Sequence, residues 1–528
     1  MGTQQRLLLA IVLAFAFFVI YCHFLAPKNP QEVSNNTTNQ TIDQQAAPLV
    51  QTSDDTKSSV ASTTTLQSTV SGEIIAKVFA DQYELHIDRL GRISKYYLNG
   101  ENFKDENGER IQLLDASFNL LPLEIRFTDT ITNNEAFMTP YKSDISEVRL
   151  DANENKTIVL TQELSSTVVT KKIIFTQNAG YNVDVEITSP LEYFITPGFR
   201  PNVVADGYTF HGAIIQKPDK SIEKIEDGDA KKTLTFENAR FVAASDRYYT
   251  TLLANFDNGF STVVSSKDNN PNVFIRGKSE MSLTGYIGPK SRENIHAVNK
   301  ELDPVIEYGF FTAISKPLFS LLYFLHDKIG NWGWAIVILT ILIRLVLYPL
   351  TYKGMVSMNK LKELAPKVKE LQNQYKDDKQ KLNVKMMELY KKHGANPMGG
   401  CLPILIQIPI FFAIYRVLLN AIELKNAPWI LWIEDLAIKD PYFVLPILMG
   451  LTMYLQQRLT PTNFIDPMQE KIMRMLPIIF TFFFIWFPAG LTLYWFINNL
   501  FSVFQQLYVN RIFDKKKEAA ELAKKEKQ

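Results

Sequence analysis

A single arginine interrupts a long apolar run in the second half of the chain. Arg344 follows Trp332 by twelve residues, and residues 332–350 contain no other charged side chain. A run of about 20 apolar residues is long enough to cross a bilayer core. A guanidinium near the centre of such a helix costs roughly 2.5–3.5 kcal/mol on insertion scales, and its pKa is too high for it to lose its proton. The run therefore predicts a membrane-spanning helix whose arginine meets water or a partner inside the membrane. The alternative is an arginine that snorkels to the interface.

The N-terminal part of the chain predicts a membrane anchor followed by a tether. Residues 7–25 carry no formal charge and end without a small-residue cleavage site, so residues 1–28 are predicted to be an uncleaved transmembrane signal anchor. Residues 29–70 are rich in Asn, Thr, Gln and Ser and contain no aromatic residue. This composition predicts a disordered periplasmic tether.

The middle of the chain alternates between apolar and polar residues with a period of two. Strand-sized segments of this kind, separated by turn residues, predict a large antiparallel β-sandwich over residues 71–303. A domain of this size can bury its own core. The clearest alternating segments are 83–91, 157–162, 168–176 and 183–188.

The β-domain shows little sign of catalysis or metal binding. Its three histidines, His86, His211 and His296, are far apart in the sequence. A sugar-type acid/base site is the alternative to structural roles for them, and we do not favour it. The two cysteines, Cys22 and Cys401, lie in or beside distant apolar runs and imply neither a disulfide nor a metal site. We therefore expect no enzymatic activity and no cofactor.

The last 225 residues return to helical periodicity. Lysine and arginine are concentrated in cytoplasmic loops of membrane proteins, and residues 353–400 hold eleven lysines against five acidic residues. This bias predicts cytoplasmic N- and C-termini with the β-domain outside. The lysines of the loop are a solvated face or, alternatively, a surface that docks RNA. The predicted segments are an amphipathic interfacial helix at 304–330, transmembrane helix 2 at 331–352, a cytoplasmic helical hairpin at 353–400, transmembrane helices 3–6 at 401–510 and a basic cytoplasmic tail at 511–528.

Polar residues are frequent within the predicted spanning helices. Thr340 is four residues before Arg344 and shares its face, and Gln407 lies inside the next span. Polar side chains also follow one face of the last helix. Each of them alone is well explained as a contact between helices, but together with an arginine they predict the lining of a hydrophilic groove. The row on the last helix consists of Tyr494, Asn498, Ser502 and Gln505, with Trp495, Asn499 and Gln506 beside it.

Several ordered motifs resemble the YidC membrane-protein insertases of Gram-negative bacteria, which are relatives of the mitochondrial and chloroplast insertases. The similarity covers nearly the whole chain, and Tyr286-Ile-Gly-Pro-Lys290 resembles the periplasmic domain of that family. The motifs that carry the resemblance include Asn331-Trp-Gly, Tyr348-Pro-Leu-Thr351, Asp377-Asp-Lys-Gln380, Asn396-Pro-Met-Gly-Gly-Cys-Leu-Pro403, Asp466-Pro-Met468 and Trp486-Phe-Pro-Ala-Gly-Leu491.

The resemblance implies a polytopic α-helical protein of the bacterial inner membrane. A signal-anchor helix precedes a five-helix core that encloses a hydrophilic groove, and the periplasmic domain is a β-supersandwich. Arg344, Thr340, Gln407, Trp486 and Tyr494 match the positions of the family's groove. The other positions expected in the groove are Asn498, Ser502 and Trp495, the last of which replaces a tyrosine of the family. The positions expected to act in cytoplasmic docking are Tyr348, Asp377, Asp378 and Asp466.

The implied function is that of a membrane protein insertase and chaperone. Its expected partners are nascent membrane proteins, the ribosome, the Sec translocon, the signal recognition particle pathway and the lipid bilayer. The chain contains no glycine-rich phosphate loop, so no nucleotide is expected. The alternative is a small-solute transporter, which usually shows internal repeats that are not evident here.

Overall fold

A computed structural model describes residues 72–525, except for 106, 152–153, 202, 204–208, 376–377, 396–401 and 461–466. The predicted signal anchor and tether lie outside these residues. The chain divides into two compact units, with the boundary between Ile306 and Glu307.

The first unit is built on three β-sheets. One five-stranded sheet has the order β4-β3-β2-β1-β7, the nine-stranded sheet has the order β13-β12-β15-β16-β19-β10-β9-β8-β6, and the other five-stranded sheet has the order β14-β17-β18-β11-β5. The strands are β1 (Ile74–Phe79), β2 (Tyr83–Asp88), β3 (Ile93–Leu98), β4 (Gln112–Leu114), β5 (Ile125–Phe127), β6 (Lys142–Ser143), β7 (Glu147–Arg149), β8 (Lys156–Glu163), β9 (Val168–Phe175), β10 (Gly180–Ile187), β11 (Tyr193–Ile195), β12 (Gly212–Gln216), β13 (Ile222–Glu226), β14 (Leu234–Ala239), β15 (Phe241–Ser245), β16 (Tyr249–Ala254), β17 (Phe260–Lys267), β18 (Asn270–Gly277) and β19 (Met281–Pro289).

The alternating sequence pattern becomes alternating burial in the strands. In β10, Tyr181, Val183 and Val185 are buried, whereas the side chains between them are more exposed. The strands that this pattern predicts are therefore present, and one strand pair departs from the predicted antiparallel arrangement. β1 pairs with β7 in parallel, while the other strand pairs described are antiparallel. Two short helices, α1 (Thr130–Met138) and α2 (Arg292–Val298), and two 3-10 turns (Glu101–Phe103 and Lys300–Val305) complete the described part of the unit.

A fully buried lysine joins β9 to two loops of the first unit. Nζ of Lys171 donates to the carbonyl oxygens of Gly91 at 2.9 Å and Leu123 at 2.7 Å. Nearby, Arg92 forms an ion pair with Glu124 at 2.9 Å. Burial is the largest influence on the lysine and lowers the pKa of Lys171 to about 7. This ammonium therefore makes the first unit sensitive to pH.

The second unit is helical. Its elements are α3 (Thr312–Ile329), α4 (Trp332–Glu363), α5 (Ala365–Gln374), α6 (Lys379–Lys392), α7 (Leu402–Asn420), α8 (Val444–Leu459), α9 (Pro467–Phe484) and α10 (Ala489–Lys525), with a 3-10 turn at Ile422–Leu424.

Two helices continue past their predicted ends. α4 runs through Pro349 to Glu363 rather than ending near residue 352, and α10 runs to Lys525 rather than ending near 510. Strong helix formers such as Lys, Glu, Leu and Met follow the apolar part of each helix and allow it to extend into a polar environment. Among the described residues, α4 is the one helix both long and apolar enough to cross a membrane, and the apolar part of α7, Gln407–Asn420, is shorter.

The amphipathic helix α3 packs against the helical core. Phe319 and Leu322 are buried, and the Ser315 hydroxyl donates to the carbonyl oxygen of Ala413 in α7 at 3.3 Å. The helix begins at Thr312, so Pro317 lies in its second turn. The buried face of α3 thus packs within the helical unit, and its location at the membrane surface stays a prediction.

The loop between α7 and α8 is organised by two polar side chains. The Asp440 carboxylate accepts hydrogen bonds from the Trp432 indole at 3.0 Å and from the backbone N–H of Leu445 at 2.7 Å. The Asn331 amide caps α4 and also donates to the carbonyl oxygen of Pro428 at 3.1 Å. These contacts fix the end of the helical unit at which both α4 and α10 begin.

Candidate functional site

Arg344 is buried between α4 and α10 without a neutralising charge. Arg344 is only 8% exposed, and its Nε donates a hydrogen bond to the Asn498 carboxamide oxygen at 2.7 Å. No carboxylate forms an ion pair with it in the part of the chain that the structure describes. A buried charge is costly unless it is paired or hydrated. This arginine is therefore an attractive position for water or for an incoming anionic group.

Three more predicted groove residues lie in the region of this arginine. The Gln407 amide of α7 donates to the Tyr494 hydroxyl of α10 at 3.1 Å, and Tyr494 interacts electrostatically with Arg344. Thr340 is buried one helical turn before Arg344 and donates to its own helix at the carbonyl oxygen of Ile336, at 2.7 Å. The helices α4, α7 and α10 thus contribute polar groups to one region.

The polar row of α10 continues beyond Asn498 inside the unit. The Ser502 hydroxyl donates to the carbonyl oxygen of Asn498 at 2.9 Å. Within the part of the chain that the structure describes, the Gln505 amide oxygen and nitrogen are both buried without a hydrogen-bond partner, and the same holds for the Asn499 amide nitrogen. Buried amides are normally satisfied by protein or water, so this row favours a hydrated environment along α10.

Two tryptophans predicted for the groove lie elsewhere. Trp495 packs against Phe411 with ring centroids 4.6 Å apart and also against Phe480 and Phe484. It therefore faces an aromatic cluster, because it is one residue, or about 100°, around the helix from Tyr494. Trp486 lies in the turn before α10, is 42% exposed and packs on Phe482 at 4.7 Å. Neither ring is part of the polar row.

A second polar cluster joins the far ends of α4 and α10, and the sequence analysis missed it. The Asn359 amide donates to the Asn510 carboxamide oxygen at 2.9 Å, and Gln506 donates to the same oxygen at 2.8 Å. Asn510 in turn donates to the carbonyl oxygen of Leu459 in α8 at 3.4 Å. The sequence spacing could have revealed this cluster, because Asn359 follows Arg344 by about four helical turns and so lies on nearly the same face of α4.

The residues predicted for cytoplasmic docking are only partly described. Tyr348 is half-buried on α4 beside Tyr352, with ring centroids 5.8 Å apart. The Asp378 carboxylate caps α6 by accepting from the backbone N–H of Lys381 at 3.0 Å. Asp377 and Asp466 lie outside the described residues. The structure therefore gives Asp378 a capping role, and docking by these residues stays a prediction. In the described part of the chain, no cluster of His, Cys, Asp and Glu suits a metal ion.

Known proteins match this chain along its length. The model of the "YidC periplasmic domain" family matches residues 75–321, and that of the "60Kd inner membrane protein" family matches residues 324–517. The membrane protein insertase YidC of Campylobacter jejuni subsp. jejuni is 49% identical over 97% of each chain. The chain belongs to the YidC family of membrane protein insertases. The YidC of Wolinella succinogenes is 50% identical over 98% of this chain and 97% of its own.

The comparisons confirm the predicted family and its broad architecture. The family comprises inner-membrane proteins in which a periplasmic, β-rich domain precedes a helical C-terminal region. A crystal structure of an active YidC insertase, with its first transmembrane domain resolved, is also similar, at a TM-score of 0.36 and 19% identity over 82% of this chain and 93% of that chain.

Proposed function

We propose that this protein inserts nascent membrane proteins through a hydrophilic groove formed by α4, α7 and α10, and assists their folding. The observation that supports this most strongly is Arg344, which is buried beside the neutral amide of Asn498. A fixed positive charge that lacks a counter-ion attracts acidic segments of a passing chain. Water around the neighbouring amides shortens the apolar barrier that such a segment has to cross.

The same helices offer the substrate a way into lipid. On α4, Leu345 and Val346 are 54% and 79% exposed, although they directly follow the buried Arg344. A hydrophobic segment that leaves the polar row sideways buries its own apolar surface in the bilayer, which stabilises the inserted state. No nucleotide is needed for this step.

The helical hairpin α5–α6 supports a role in substrate delivery. It follows directly from α4, and its surface is rich in lysine. We propose that it lies in the cytoplasm, where the positive-inside bias places it, and that it receives chains from the ribosome and the signal recognition particle pathway. In this topology α4 and α7–α10 span the membrane, both termini are cytoplasmic, and the protein works alone or with the Sec translocon.

Site-specific photocrosslinking to a stalled nascent membrane protein tests this proposal. A crosslinker at Gln407 or Ser502 should capture the polar, translocating part of the chain. Matched positions on the outer faces of α4 and α10, Val346 and Phe504, are 79% and 59% exposed and serve as controls. We expect polar-segment adducts at the first pair and not at the second. Equal capture at all four positions would mean that the polar row is not the path.

A further inference from the structure

A cavity of about 510 Å³ lies between the C-terminal halves of α4 and α10 and the end of the hairpin. Its lining on α4 begins at Tyr352, about two helical turns beyond Arg344, and the Asn359–Asn510 hydrogen bond joins the same two helix segments that line it. The groove proposed above does not include it, and nothing in that proposal depends on it. Its lining combines apolar residues with lysines, among them Val356, Lys360, Ile512, Phe513, Lys516 and Lys517.

The inner wall of the α4–α10 cavity is apolar. Val509 is fully buried and Leu364 is 5% exposed, and both line the cavity together with Val356, Ile512 and Phe513. A free, fully hydrated anion would gain no binding energy from an apolar wall. An apolar wall suits the glycerol and first acyl carbons of an amphiphile, because their burial is favourable.

The rim of the α4–α10 cavity is cationic. Three lysines and one glutamate contribute to the lining, so its net charge is +2 with His393 neutral. Lys517 pairs with Glu363 at 3.3 Å, and Lys360 donates to the carbonyl oxygen of Gly394 at 3.4 Å. Lys516 makes no ion pair or hydrogen bond with the residues that the structure describes. The Lys516 ammonium group can therefore bind an anion.

The depth of the α4–α10 cavity matches a headgroup layer. α4 and α10 run side by side in the same direction, since Arg344 contacts Asn498 and Asn359 contacts Asn510. At 1.5 Å per residue, Tyr352 and Val356 lie roughly 30–36 Å from the start of α4. A hydrocarbon core is about 30 Å thick. The apolar wall thus begins where the acyl chains end, and the lysines project from just beyond it.

We propose that the α4–α10 cavity binds the headgroup of an anionic phospholipid, with its phosphate facing Lys360, Lys516 and Lys517. Basic pockets between transmembrane helices are known to recognise acidic headgroups. RNA is less suited to this cavity, because the buried apolar wall of Val509 and Leu364 offers no polar partner to its phosphates and 2′-hydroxyl groups. A bound lipid bridges the ends of α4 and α10 and stabilises their spacing next to the hairpin.

Lipid binding by the full-length protein in detergent tests this inference. Native mass spectrometry measures the Kd for dioctanoyl-phosphatidylglycerol and, for comparison, dioctanoyl-phosphatidylcholine. The test variant is Lys360→Gln/Lys516→Gln. The matched control, Lys353→Gln/Lys515→Gln, removes the same charge from the same two helices at exposed positions outside the cavity. All four lysines lie at the surface or the rim, and thermal unfolding verifies that both variants are folded.

The expected result is phosphatidylglycerol binding that is roughly 30-fold weaker in the cavity variant and within about twofold of the parent in the control. Equal weakening by both variants, or equally tight phosphatidylcholine binding, overturns the proposal. Displacement of the lipid by inorganic phosphate at a similar concentration would show that the apolar wall plays no part. Displacement by a short RNA, with the same dependence on Lys360 and Lys516, would assign the cavity to RNA instead.

Discussion

Replacing Asn498 by aspartate should remove the attraction of the groove for acidic segments without disturbing its shape. The Asn498 carboxamide oxygen accepts the hydrogen bond from Arg344 Nε at 2.7 Å, and both residues are buried. Asn498→Asp is nearly isosteric, so a carboxylate oxygen would accept the same hydrogen bond. The variant gives the buried arginine a counter-ion that none of the described residues supplies, and it thereby removes the net charge that we expect to attract substrates.

The size of the effect follows from the charge. A unit charge attracts a carboxylate about 8 Å away by about 2 kcal/mol at an effective dielectric constant of about 20. Loss of that attraction corresponds to roughly 30-fold weaker entry of an acidic segment. A segment without acidic residues should lose little. The free energy of unfolding should not fall, because the variant pairs a buried charge instead of leaving it alone.

Insertion into proteoliposomes measures this effect. Two versions of one substrate are compared, one with acidic residues in its translocated segment and one with the corresponding amides. Asn498→Asp should match Arg344→Ala on the acidic version and leave the amide version nearly unchanged. Asn498→Ala keeps the positive charge and should fall between Asn498→Asp and the parent. If Asn498→Asp inserts the acidic version normally, or impairs both versions equally, charge attraction is not what Arg344 contributes.

Three further predictions concern other parts of the chain. Deleting residues 365–392, the α5–α6 hairpin, should leave a stable membrane protein that no longer receives ribosome-bound chains in a co-translational insertion assay; normal insertion at normal protein level would contradict this. Removing residues 75–300 should preserve insertion, whereas Leu322→Asp should abolish it, because Leu322 is fully buried in the helical unit; equal tolerance in a depletion-rescue growth assay would show that α3 is not part of the core. The pKa of Lys171 falls from 10.5 to about 7 in the folded state, so the unfolded chain binds more protons than the folded chain between these pH values. The free energy of unfolding of the β-unit should therefore rise from about pH 7 to about pH 10.5. If Lys171→Met shows the same dependence of this free energy on pH in denaturant unfolding, Lys171 is not its origin.

The sequence was most informative where periodicity and charge combine. A period of two revealed the strands, and the spacing of Tyr494, Asn498 and Ser502 placed three polar side chains on one face of α10, as the structure has them. The contact between Arg344 and Asn498 could not be read from either helix alone. It depends on the relative register of two helices that are about 150 residues apart in the sequence, and no local pattern encodes that register.

Helix ends and aromatic directions were the least predictable features. α4 passes through Pro349 because the residues beyond it favour helix, whereas an apolar-run criterion ends the segment where its hydrophobicity ends. Trp495 is predicted for the groove because it lies beside the polar row and replaces a tyrosine of the family, yet a rotation of 100° per residue turns it toward Phe411. The parallel pairing of β1 with β7 was also unpredictable, because it brings together strands that lie about 70 residues apart.

A charge-reversal experiment tests the central claim most directly. Arg344→Glu is reconstituted into proteoliposomes and assayed with two versions of one substrate, whose translocated segments carry either acidic or basic residues. If a buried charge guides the segment, the parent favours the acidic version and Arg344→Glu reverses the preference. Circular dichroism and thermal unfolding establish that the variant is folded. An unchanged preference for the acidic version in folded Arg344→Glu contradicts the claim that this side chain attracts the substrate.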